Sequence, residues 1–306
     1  MALIVYPPSF DWHRMVQRPH HLLWEAARAG HVVIFCNATK RADRAMETVA
    51  ERVYVCHNFE MLLRTKLPRP VIYFTDPSQL PLIQGMERER LVFDLMDDLG
   101  DAAGPALRLA DEVWCASEAL VDRVAVERPD ALLVPNACDF AHWANPGTEP
   151  VAAAVLPHPR VAYIGRVADW IDVPALCRAA REMPETHFLL VGPVETASFR
   201  EAEGIQNLHC VGEHFYPQLP AFAHSCDALI APYRADSEVA RAADPIKLWN
   251  YRAVGRPIVT DLAALGPALA GSIEPAAIDA ARQTALSRRW SDSWRTAAAT
   301  WEGVPA

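Results

Sequence analysis

The sequence predicts an α/β protein built from two doubly wound domains. Three observations predict it. Short, continuous apolar runs alternate with helix-like stretches, a Pro/Gly-rich break interrupts them near mid-chain, and the same alternation restarts afterwards. Continuous apolar strands separated by helices indicate parallel sheets covered on both faces. At 306 residues, half of them hydrophobic, the chain holds two domains of ordinary size.

Residues 2–6 read as the first buried strand. Residues 17–29 read as a helix that Gly30 ends, and 32–36 as the next strand. The apolar runs 53–55, 71–74, 91–95, 112–116 and 131–134 follow, with helical stretches such as 103–110 and 118–126 between them. Asn145-Pro-Gly-Thr-Glu-Pro150 and Pro157-His-Pro159 read as an interdomain linker within 144–159. Strands are then expected at 161–164, 187–191, 208–211, 228–231 and 258–260, with helices near 173–182, 219–224 and 245–254. This divides the chain into a first domain, 1–145, a second, 146–275, and a helical tail, 276–306. In the tail Trp290, Trp294 and Trp301 fall on one helix face, which reads as core packing.

The formal charge of −9 argues against nucleic acid as the main partner. Seven cysteines without a Cys-x-x-Cys pair point to reduced thiols in a cytoplasmic protein. The first residues lack a basic n-region and a long enough apolar run for a signal peptide. No stretch of about 18 uncharged apolar residues is present, so no transmembrane segment is expected; peripheral membrane contact stays open. Gly-x-Gly-x-x-Gly, Walker, Asp-x-Asp and zinc-spaced His/Cys patterns are all missing, so redox, ATP-dependent and metal chemistry find no motif. His20 and His21 point about 100° apart on a helix and are not a metal pair.

Two segments carry a candidate anion site. In the stretch 242–259, Asp244 is expected to cap a helix whose first residue is Pro245, and Gly255 to end it. Lys247 and Asn250 share one face of that helix. A lysine in the first turn, beside free N–H groups, suits an anion; a solvated lysine on an amphipathic helix is the alternative. Arg166 follows Gly165 at the carboxyl end of the second domain's first strand, where open α/β sheets bind ligands. Gly165 lets the backbone approach a ligand, and Arg166 can fork two phosphate oxygens; the alternative is a surface arginine. Asp97 and Asp98 end another strand. Adjacent carboxylates there suit a base or a hydroxyl acceptor, or else a helix cap with a solvated neighbour. Asp76 ends the preceding strand in a similar way.

Pro245-Ile-Lys-Leu-Trp-Asn-Tyr-Arg-Ala-Val-Gly-Arg-Pro-Ile-Val259 resembles the donor-binding segment of GT-B glycosyltransferases. The group is the large retaining one related to glycogen and sucrose synthases (family 4-like, group 1), and the subgroup is that of polysaccharide biosynthesis. Gly165-Arg166 with Trp170-Ile171-Asp172 is similar to the same subgroup. So is Asp11-Trp12 with Gln17-Arg18-Pro19, while Val134-Pro-Asn-Ala-Cys-Asp139 and Val211-Gly-Glu-His214 resemble segments of the wider family.

The resemblance implies two Rossmann-like domains facing a cleft, with the C-terminal helix returning to the first. It implies transfer of a sugar from a nucleotide-diphosphate sugar to an acceptor hydroxyl, with retention and with neither metal nor cofactor. Gly165, Arg166, Lys247 and Asn250 would bind the donor, Glu213 would border its base, and Asp97 and Asp98 would be catalytic. Trp12, Arg18 and Asp76 would face the acceptor, which is a glycan, a lipid-linked saccharide or a small molecule.

The sequence also departs from the pattern. Asn250 stands where the family has a glutamate that accepts both ribose hydroxyls. Ala242 takes the place of its partner acid, which Asp236, Glu238 and Asp244 do not fill by spacing. Ile171 replaces a lysine of many relatives, so Lys247 would supply the second positive charge. Asn250 and Ala242 motivate another reading, a non-catalytic scaffold or binding subunit, and a nucleotide-sugar epimerase on the same fold is a further alternative.

Overall fold

A computed structural model describes residues 1–237, 244–271 and 274–301. The first sheet comprises β1 (Leu3–Tyr6), β2 (Val32–Cys36), β3 (Met46–Ala50), β4 (Val53–Cys56), β5 (Val71–Phe74), β6 (Arg90–Leu95), β7 (Glu112–Cys115) and β8 (Leu132–Leu133). Their order is β3-β4-β2-β1-β5-β6-β7-β8. All pairs are parallel except β3 with β4. The second sheet is wholly parallel: β9 (Arg160–Ile164), β10 (His187–Val191), β11 (Leu208–Gly212), β12 (Ala228–Ile230) and β13 (Ile258–Val259), in the order β11-β10-β9-β12-β13.

Both sheets are doubly wound, as the alternating pattern predicted. The chain order reverses at β1/β5 in the first sheet and at β9/β12 in the second, and a crevice opens at such switch points. Strand β3 escaped the sequence reading. Met46-Glu-Thr-Val-Ala50 has no continuous apolar run because it is a half-exposed edge strand. Along β9, Ala162 and Ile164 enter one core while Val161 and Tyr163 enter the other. That two-residue alternation buries the strand on both faces.

Among the described residues five helices have nine residues or more: α1 (Arg18–Arg28), α2 (Val173–Glu182), α3 (Ile246–Val254), α4 (Pro275–Ser287) and α5 (Trp290–Ala298). Helix α1 starts with a capping box of Gln17 and His20. Helix α2 has Asp172 as its cap, whose Oδ1 accepts from the Ala175 N–H at 2.8 Å. Helix α3 corrects an expectation. Pro245 is extended (φ −66°, ψ 118°) and is itself the N-cap, so Asp244 stands one residue too early to cap. Gly255 does end α3, in the left-handed region at φ 77°. A Cβ there would also lie 2.8 Å from Ile278 Cγ2 on α4, so packing as well as backbone conformation requires the glycine.

The chain forms two compact units. One runs to Asn136 and also takes in Asp244 and the chain from Trp290; the other starts at Ala137 and includes Pro245–Arg289. The expected linker region holds the short helices Phe140–Trp143 and Val151–Ala154, whose Trp143 and Ala153 are buried in the second unit's core. The tail, expected to act as one piece, divides: α4 belongs to the second unit and α5 to the first. The Trp290 ring stacks on His21 of α1 at 4.6 Å, and Trp294 and Trp301 meet Trp114. All three tail tryptophans are buried.

Candidate functional site

In the second unit, β9 ends at Ile164 and the chain turns at Gly165 with φ 139°. The turn lies at the switch point between β9 and β12. Helix α3 is fixed against it by Tyr251, whose buried hydroxyl accepts from the Ile164 N–H at 2.8 Å. Lys247, in the first turn of α3, reaches the same place. A Cβ on Gly165 would lie 2.8 Å from Lys247 Nζ. The glycine therefore makes room for an ammonium as well as permitting the turn. Gly192, after β10, has φ 147°, and a Cβ there would collide with the Gly165 carbonyl. Close backbone approach thus demands glycine twice, and the sequence reading found only one of the two.

Lys247 is half-buried. Its ammonium donates to the Tyr163 hydroxyl at 2.5 Å, and lies 4.0 Å from the Tyr163 ring centroid and 5.5 Å from that of Tyr233. Burial pushes its pKa down to about 7, and the charge of Arg166 adds to the effect. The Arg166 guanidinium lies 5.3 Å from the Trp170 ring and pairs with Glu195 at 3.4 Å. Two cations so placed repel each other, and an anion between them would relieve the repulsion.

Arg166 Nε and Asn250 Oδ1 are buried with no hydrogen-bond partner among the described residues. An unmet buried polar atom costs about 1–3 kcal/mol. One is a cationic donor suited to an oxygen anion; the other is an acceptor suited to a hydroxyl. Pro245, the N-cap of α3, makes no side-chain hydrogen bond to the helix start, and the N-terminal end of a helix favours an anion.

Gly165, Arg166 and Lys247 thus meet, with Asn250 one turn further along α3. Glu213 is exposed after β11, the edge strand, two strands from β9. Asp236 pairs with Arg234 at 2.7 Å, while Ala242 and Glu238 lie outside the described residues. Sequence reasoning missed Tyr163 and Tyr233 altogether. The one available signal for Tyr163 was a phenol inside an otherwise aliphatic strand.

In the first unit the expected site residues separate. Arg18, expected to face a cleft, is 1 % exposed. Its Nε and Nη2 donate to Asp94 at 2.8 and 2.9 Å, and its Nη1 to Asn136 Oδ1 at 3.0 Å. Tyr73 adds a hydroxyl donor to Asp94 at 2.6 Å. The guanidinium is consumed in tying α1 to β6, so its place is structural; Asp94, hidden in a strand, had given no sign of this role.

Trp12 is likewise buried, against His20, Phe35 and Trp24. His20 accepts from the Gln17 N–H at Nδ1 and donates from Nε2 to the Trp12 carbonyl. Burial pushes its pKa down to about 4, which keeps the ring neutral. Asp98 pairs with Arg123 at 2.8 Å and accepts from the Gly100 N–H at 3.0 Å, whereas Asp97 is exposed. Asp76 is exposed at the β1/β5 switch point and caps the turn Pro77–Gln79 through Ser78.

Among the described residues no group of three or more His, Cys, Asp or Glu could hold a metal ion, and no helix is long and apolar enough to cross a membrane.

These two doubly wound units have the GT-B fold of glycosyltransferases. Over 98% of both chains the structure is similar to sucrose-phosphate synthase from Thermosynechococcus elongatus, with a TM-score of 0.72 and 16% identity. It is similar to HepE from Anabaena, solved in complex with UDP and glucose, with a TM-score of 0.70 and 14% identity over 99% of this chain and 100% of that one. Among curated proteins it is similar to the putative teichuronic acid biosynthesis glycosyltransferase TuaH of Bacillus subtilis (strain 168). The two are 26% identical over 162 residues, 50% of this chain; the match spans 41% of TuaH's length. No family model matches the sequence.

Proposed function

We propose that the protein is a glycosyltransferase that moves a sugar from a nucleotide-diphosphate sugar to an acceptor hydroxyl, in the making of a polysaccharide. The convergence of Arg166 and Lys247 at the switch point of the second sheet carries this reading. Both cations, with the first N–H groups of α3, are arranged to take up the charge that develops on a departing diphosphate. We read the transfer as a same-face displacement with retention, in which these groups do the work a metal does elsewhere. The ligands of HepE and the name of TuaH make a UDP-sugar the first donor to try and a cell-surface glycan, free or lipid-linked, the first acceptor. Asn250 Oδ1 would accept from a ribose hydroxyl, in a neutral version of the expected glutamate contact. Asp97 and Asp76, both exposed at strand ends, are the carboxylates we assign to a sugar hydroxyl and to the acceptor. A cytoplasmic site of action, with peripheral membrane contact, suits such a donor and the unpaired thiols.

Asn250 in place of glutamate favours one other reading, a non-catalytic binding subunit. Thermal unfolding with UDP, GDP, dTDP and ADP, and then with their sugars, tests both. A ligand at a hundred times its Kd stabilises the fold by about 2.7 kcal/mol. The transferase reading expects one nucleotide to raise the midpoint, and its sugar to be turned over when acceptor is present. Binding without turnover would favour the binding subunit, and no shift with any of them would refute the transferase.

A further inference from the structure

Only three lysines occur in the chain, Lys40, Lys66 and Lys247, while arginines are many. Lys40 and Lys66 are exposed; the third is the one held among aromatic rings. Its surroundings show why a lysine is kept there. The ammonium is compact and fits the space left by Gly165, whereas a planar guanidinium is wider.

One hydroxyl serves both sides of this arrangement. Tyr163 Oη accepts from Lys247 Nζ at 2.5 Å and donates to the Arg166 carbonyl at 2.7 Å. A phenol has one proton and can do both at once. Residues from a strand end and from a helix far along the chain are thereby fixed to a single buried atom. The Tyr163 ring is packed in the core with Val161 and Val167 and has little freedom to move.

We propose that Tyr163 is a positioning residue of the diphosphate site, whose hydroxyl holds the Lys247 ammonium and the Gly165–Arg166 turn in register so that both cations meet the same anion. This rests on the donor-site reading above. The effect is one of preorganisation. Ordering a long side chain before binding removes that entropic cost from the binding step. Tyr163 does not itself touch the donor.

Inorganic pyrophosphate is the probe, because it carries the two phosphates whatever the base. The full chain is labelled with 13Cε-lysine, which gives three signals, and Lys247→Arg identifies the one from position 247. In the wild type, the Lys247 signal should be displaced by the Tyr163 ring and should move again as pyrophosphate is added. Tyr163→Phe keeps the ring and removes the hydroxyl. It should weaken pyrophosphate binding about tenfold, while uridine, which has no phosphate, binds the two proteins alike.

Unchanged pyrophosphate affinity in Tyr163→Phe would overturn the positioning role and leave the donor site standing. A wild type that answers neither pyrophosphate nor any of the four nucleoside diphosphates would overturn both. A loss of pyrophosphate and uridine binding in equal measure would mark Tyr163 as merely structural. Should Tyr163→Phe not fold, the wild-type spectrum decides: a Lys247 signal with the shift of a solvated lysine would refute the cradle, and a ring-shifted signal that moves with pyrophosphate would support it.

Discussion

Lys247 Nζ occupies the space where a side chain on Gly165 would begin, 2.8 Å from the ideal Cβ position. A helix residue and a strand-end glycine are therefore two halves of one feature. Gly165→Ala must displace the ammonium and also strain a backbone at φ 139°. Strain of that kind costs about 1–3 kcal/mol. The variant should melt several degrees lower and lose nucleotide diphosphate affinity at least tenfold, as read by calorimetry. Wild-type affinity in Gly165→Ala would refute the pairing.

The ammonium also sets a pH dependence. The folded pKa of Lys247 is depressed to about 7 from an ordinary 10.5. Between these values the unfolded chain binds the extra proton, so the contribution of Lys247 to stability rises with pH across that window. A bound diphosphate needs the charged amine. Its Kd should therefore be flat below about pH 7 and weaken above it, approaching tenfold per pH unit. Titrations from pH 6 to pH 9 on wild type and Lys247→Met check this; the same slope in both proteins would contradict it.

Asn250 Oδ1 is buried without a partner among the described residues, and a ribose hydroxyl would satisfy it. Asn250→Ala removes the unmet acceptor, so its stability should change little. It should nonetheless lose the preference for UDP over 2′-deoxy-UDP that the wild type is expected to show. Asn250→Glu should tighten UDP binding several-fold by offering a charged acceptor. No change in either variant would mean that the ribose lies elsewhere.

Arg18 and Asp94 make a fully buried ion pair. Removing one partner of such a pair typically costs about 3–5 kcal/mol. Arg18→Ala should unfold at markedly lower denaturant or temperature, and nucleotide affinity of the molecules still folded should be unchanged. A stable Arg18→Ala with impaired acceptor use would return Arg18 to the acceptor side.

The parallel strands were legible because burial on both faces writes an uninterrupted apolar run. Strand β3 was not, since one exposed edge lets Glu47 and Thr48 stand among apolar residues. The donor side was legible for a related reason: Gly165, Arg166 and Lys247 sit at element ends, where residue types report chemistry. Arg18 misled because a buried guanidinium and a ligand-binding one are written alike until Asp94 is found opposite. Tyr163 was hidden because its ring satisfies the core pattern while its hydroxyl does something else. Asp244 missed the cap by one residue, the usual precision of a helix boundary.

The central claim is that Arg166 and Lys247 bind the diphosphate of a sugar nucleotide. Calorimetric titration of UDP into the wild type and into the Arg166→Ala/Lys247→Met double variant tests it most directly, with GDP, dTDP and ADP run alongside. One nucleotide should bind the wild type, and the double variant should bind it at least a hundredfold more weakly while melting cooperatively. Equal binding by the two proteins, or no nucleotide binding by the wild type, would contradict it.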